Sequence, residues 1–289
     1  MKSGILLVIP CLGAFALASC NSQPSNSSAN QNGGDTAKIS ASAPTASVTT
    51  SDDDDALPNL LQIGSIIKSS NLNYMPGLTN PVASADNYNT TYQQNLNLGI
   101  YVADLAYCTL NKKNEESMNY LNTVKSLADK IGIGILFESG SFFNRYKANL
   151  NNEDSLAGLV ADLQMKVDDL LKKNNENSVR VVIYSGAWIE NMYIAAEVCS
   201  KSKNSAMGVH LIEQMTILEN MLTVLNKYQN TDPHIKDLYT NLKQVDDTYK
   251  TFDEIKNYNP DSKTPFAFSD DHLKQLTGLL EGLHAKYIK

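Results

Sequence analysis

Three acids sit where ionisable groups are costly. Asp104 interrupts the apolar run Leu96, Leu98, Ile100, Tyr101, Val102 and Leu105. Glu190 and Glu197 interrupt a second run that includes Val181, Val182, Ile183, Trp188, Ile189 and Met192. A helix that is apolar on every side lies in the centre of a domain. Its carboxylates must then be paired, protonated or facing a cavity. Glu190 and Glu197 are two turns apart on one helix face, about 10 Å along the axis. Gly186 lies one turn before Glu190 on that face and leaves space beside it. The spacing makes Asp104, Glu190, Glu197 and Trp188 the candidate ligand-binding residues. The same acids could instead be satisfied by Arg145, Arg180 or tyrosine hydroxyls, which is a structural role.

A second pair lies at His210 and Glu213. The run Gly208-Val209-His210-Leu211-Ile212-Glu213 resembles the G-x-H-x-x-E signature of imelysin-like proteins. Those are helical bacterial envelope proteins, many of them lipoproteins, linked to iron uptake. The resemblance implies a metal-associated protein in which His210 and Glu213, at i and i+3 on one helix face, hold one ion together. Leu211, Met215, Leu218, Leu222 and Leu225 form a stripe along the same segment. At about 100° per residue His210 falls inside that apolar arc, so a hydrogen-bonded core histidine is the competing reading. Glu281-x-x-His284 has the spacing used by di-iron carboxylate bundles. The chain holds no second such pair in order, which leaves a surface pair. No cofactor is strongly implied.

Nucleophilic catalysis finds little footing. Gly-x-Ser-x-Gly is absent, and Ser139-Gly140-Ser141 lacks a strand-to-helix setting. Cys108 and Cys199 fall late in apolar helices, as buried free thiols or as one disulfide. The formal net charge of −7 argues against a nucleic-acid partner, which needs a basic face. Arg145 and Arg180 are the only arginines, too few for a phosphate-binding cluster.

The N-terminus carries an address. Lys2 precedes an apolar stretch from Ile5 to Leu17, too short for a comfortable membrane span. The run Leu17-Ala18-Ser19-Cys20 resembles the lipobox of bacterial lipoproteins. The resemblance implies cleavage before Cys20 and lipidation of its thiol, with residues 1–19 as signal peptide. The membrane is then a partner through the lipid, and a cell-envelope location follows. Asn21 favours the outer membrane over the inner one, on its periplasmic or its outer side. Residues 20–55 read as the lipidated Cys and a Ser/Thr/Ala-rich tether, too poor in apolar groups to offset ordering entropy. Such a coil spans on the order of 33 Å. Its acidic end, Asp52 to Asp55, resembles surface-export signals of some lipoproteins but sits far from Cys20.

From Ala56 the pattern becomes helical, and residues 56–289 read as one all-α domain. A helix is predicted over 57–70, then a loop to Asn89, then helices over 90–110 and 114–131. Further helices are predicted over 135–147, 152–174, 177–200, 205–228 and 233–252, and a last one capped by Ser269. The expected architecture is an antiparallel bundle or short α-solenoid of about eight or nine helices. The mean hydropathy of −0.28 excludes a polytopic membrane protein. The function these features favour is a lipid-anchored, non-enzymatic binding or interaction module for an envelope protein or a small molecule.

Overall fold

The computed structural model describes residues 74–138, 141–202, 206–259, 262 and 266–288. Within these, the side chains of residues 138, 141, 153, 202 and 206–210 fall outside the description. The predicted signal peptide, Cys20, the tether and the helix over 57–70 all lie outside the described residues. So does the whole unit Met1–Ser47; the described residues belong to the unit Val48–Lys289.

Among the described residues there are ten α-helices, one short 3-10 helix and no strand. The 3-10 helix is Val82–Asn87. The α-helices are α1 (Thr91–Leu110), α2 (Asn114–Lys130), α3 (Ile135–Glu138), α4 (Ser141–Ala148), α5 (Glu153–Lys173), α6 (Asn177–Ser202), α7 (Ala206–Tyr228), α8 (Pro233–Tyr249), α9 (Asp253–Lys256) and α10 (Asp270–Tyr287). None is long and apolar enough to cross a membrane. The protein is an all-α helical bundle. Its last helix returns to pack on α6 and α8, which a solenoid of successive neighbours would not do.

The helix starts follow from local chemistry. Thr90 and Gln93 close a capping box at the head of α1, with Thr90 Oγ1 accepting from the Gln93 amide and Gln93 Oε1 accepting from the Thr90 amide. Asn152, Asp232 and Ser269 accept backbone amides at the heads of α5, α8 and α10. Asn114, which its residue type and the two acids after it place as the cap of α2, does not cap it. It is the first helical residue, and Lys113 takes the cap position without a side-chain bond. The reason is Lys112, whose φ of +58° reverses the chain one residue earlier. Gly132, with φ +83°, ends α2 in the left-handed region that favours glycine.

Two other boundaries differ from expectation. Where a single helix is predicted over 135–147, the described residues form α3 and α4, with residues 139 and 140 outside the description. The helix predicted to reach Phe252 stops at Tyr249, because Phe252 turns inward to a fully buried place beside Tyr249 and Phe268 and flat against the His272 ring.

α1 and α6 lie between two apolar cores. One core joins Leu96, Ile100 and Tyr107 of α1 to α6, α7, α8 and α10. The other joins Leu98, Tyr101 and Leu105 to α2, α4 and α5. Being covered on both sides is why these two helices are apolar all round. Each large side chain fully buried there contributes roughly 1.5–3 kcal/mol.

Candidate functional site

The centre of the molecule is the contact between α1 and α6. Gly99 packs against the backbone of Ile183 and Ala187, and Gly186 against the backbone of Leu96. A Cβ at either glycine would overlap a carbonyl oxygen. The pairs Leu96–Gly186, Gly99–Ala187 and Asp104–Glu190 advance together, so the helices run in the same direction. The close approach brings Asp104 and Glu190 together on facing surfaces.

Both acids have no exposure to solvent. Their partner is a residue that no sequence pattern singled out. Asn80, from the non-helical segment before the 3-10 helix, inserts its amide between them. Its Nδ2 donates to Asp104 Oδ2 at 3.1 Å and to Glu190 Oε2 at 3.0 Å. The Asn80 backbone amide adds a bond to Asp104 Oδ2 at 3.2 Å. The two carboxyls meet across the Asn80 amide, and their proximity in a buried site favours protonation. Burial pushes Glu190 up to about 8, against the lowering effect of Asn80 and Asp104. Burial and the neighbouring Glu190 push Asp104 well above the usual carboxylate range.

His284 of α10 completes the knot. Its Nε2 lies 2.8 Å from Glu190 Oε2, but out of line for a hydrogen bond. Burial lowers its pKa to about 4, so at neutral pH this is a contact between neutral groups and not an ion pair. The ring stacks on Tyr193 at 3.9 Å and 8°. His284 is thus a buried residue, not half of a surface pair with Glu281. Asn80 Oδ1, Asp104 Oδ1 and Glu190 Oε1 find no partner among the described residues.

The other predicted ligand-binding residues do not join this knot. Glu197 lies near Glu281, an interaction that lowers Glu197 and raises Glu281. Glu197 also pairs with Lys201 at 2.7 Å. Trp188 donates from Nε1 to the Gln214 carbonyl at 3.0 Å and so ties α6 to α7. Neither arginine reaches the central acids: Arg180 pairs with Asp168 and Arg145 with Asp162. The tyrosine hydroxyls serve the Asn80 segment instead. Tyr120 Oη donates to the Asn80 carbonyl and Tyr101 Oη to the Pro81 carbonyl, each at 2.7 Å.

The His210 side chain lies outside the described residues, so its placement relative to Glu213 is not described; Glu213 is exposed on α7. Among the described residues no group of three or more His, Cys, Asp or Glu is placed to hold a metal. Cys108 and Cys199 are both buried and are not joined as a disulfide. Burial pushes their pKa values up to about 12 and about 11. Compared with models of protein families, with curated proteins and with solved structures, the chain finds no match.

Proposed function

We propose that the chain is a lipid-anchored cell-envelope protein whose helical domain works as a non-enzymatic binding or interaction module. The burial of Asp104 and Glu190 carries the second half of this reading. They are the best-placed pair for acid–base work, yet no solvent or substrate reaches them. Their oxygens are committed to accepting from Asn80, which they hold in place. The two thiols, buried and with raised pKa values, are poor nucleophiles. The lipobox Leu17-Ala18-Ser19-Cys20 supports the first half, with the following tether lifting the domain off an outer-membrane surface. Its partners are then the membrane, through the lipid, and an envelope protein or small molecule.

Metabolic labelling with an alkyne fatty acid tests the anchor. The wild-type chain should carry label and Cys20→Ser should accumulate as an unlabelled precursor. Label retained on Cys20→Ser would overturn the assignment.

A further inference from the structure

We propose that a cavity between α1, α2, α5 and α6 receives the terminal carbons of an alkyl chain. This deepens the binding-module reading, on which it rests, by naming a ligand class, at a place separate from the acid knot. The cavity has a volume of about 40 Å³ and a wall that is almost wholly carbon. Leu98 and Leu105 of α1, Val124 and Ala128 of α2, and Val160 and Leu163 of α5 form its sides. Protein interiors keep few voids larger than a water molecule, so a void of this size departs from ordinary core packing and leaves room for an apolar guest.

Water is a poor one. Each water needs roughly 10–15 Å³ of such space and two to four polar partners. The polar side chains of the lining are Gln164 and Tyr184. Gln164 Nε2 donates to Tyr184 Oη at 3.2 Å, so these two groups already engage each other. A charged group fares worse, because nothing in the wall replaces its hydration. A saturated chain gives up no hydrogen bond on entry and gains burial and dispersion contact. Room for about three water-sized guests is room for three or four carbons of a chain end. Val102 and Val167 of the lining are half-buried, so the rim is open and a polar head can stay in solvent. The chain comes from a free amphiphile or from the lipid on Cys20, which share this chemistry.

Photo-cross-linking tests the proposal on the full chain carrying Cys20→Ser, with a diazirine-bearing decanoate as probe. Cross-links should map to peptides containing Leu98–Leu105 and Val160–Leu171 and be competed by unlabelled decanoate. Ala128→Leu fills the void and Val167→Phe closes the rim; each should cut labelling by about tenfold. Circular dichroism confirms that each variant is folded, and should Ala128→Leu misfold, Val167→Phe at the half-buried rim decides alone. Running the lipidated wild-type chain alongside separates the two sources. Unchanged labelling assigns the cavity to a free amphiphile, and labelling seen only with Cys20→Ser assigns it to the protein's own lipid. Cross-links scattered over the surface, or undiminished in the folded variants, overturn the proposal. That failure is distinct from loss of the anchor, which the fatty-acid label on Cys20 reads by itself.

Discussion

Gly186 rests directly on the backbone carbonyl of Leu96, with no room for a Cβ between them. Gly99 repeats the contact in the other direction, against Ile183. These two contacts set the distance between α1 and α6, and so the meeting of Asp104 with Glu190. Gly99→Ala and Gly186→Ala should each lower stability by about 3 kcal/mol, at the upper end for overpacking, because the obstacle is backbone. Gly278→Ala is the control. It lies inside α10 with nothing within 4 Å of an added Cβ, so it should gain roughly 0.5–1 kcal/mol. Urea unfolding midpoints compare the three, and an unchanged Gly186→Ala would show that the helices can separate freely.

Asn80 holds the segment before α1 to the core. Asn80→Ala removes the one side-chain donor that, among the described residues, is shared by both acids and should cost about 3 kcal/mol. Asn80→Asp should cost more, since it adds a third carboxyl to a buried pair. Hydrogen exchange reads the local consequence. The Met75 amide, bonded to Tyr107 Oη at 2.9 Å, should exchange faster in Asn80→Ala. Equal protection in the two proteins would mean that the tyrosines alone hold the segment.

The central helices were legible because their pattern is one-dimensional. Apolar residues on every side marked α1 and α6 as central partners. The donor for their acids was not legible. Asn80 lies 24 residues from Asp104 and 110 from Glu190 in sequence, in a segment with prolines at 76 and 81 and no periodicity. His284 did leave a signal. Leu276, Leu280, Leu283 and Tyr287 form the buried stripe of α10, and His284 lies one turn past Leu280, within it. Reading it with Glu281 rather than with that stripe placed it wrongly on the surface. Arginine is the natural partner for an ionised buried acid, but burial pushes both acids toward the protonated form, and an amide donor suffices for a neutral pair.

Cys108 and Cys199 should resist alkylation. Both are buried and both thiols are pushed up, to about 12 and about 11, so little thiolate is present or reachable at pH 8. Peptide mapping after iodoacetamide treatment should find them modified only in denaturant. Rapid modification of Cys199 in the native protein would mean that α6 opens toward its C-terminal end.

Glu190 and His284 give the stability profile opposite slopes. Glu190 moves from an ordinary 4.5 to about 8 on folding. The folded state holds that proton more tightly, so its contribution is complete below pH 4.5 and is lost as pH rises through 8. His284 moves from 6.5 to about 4. Its contribution is present above pH 6.5 and is lost as pH falls through 4. Between 4.5 and 6.5 the His284 slope opposes those of Glu190 and the raised Asp104, so the melting temperature should fall only gently there. Above 6.5 only the carboxyl slope remains, reinforced by the raised Asp104. Tyr193, stacked on His284, is pushed to about 12 and stays protonated throughout this range. The melting temperature should therefore fall as pH rises from 6.5 past 8. Glu190→Gln copies the shape of the protonated acid but cannot ionise. It should match the wild type closely near pH 4.5, where Glu190 is protonated in both states, and lose less stability as pH rises toward 8. Differential scanning fluorimetry across pH 4 to 9 compares the two chains. If the alkaline fall is equally steep in Glu190→Gln, the buried pair does not hold its proton there.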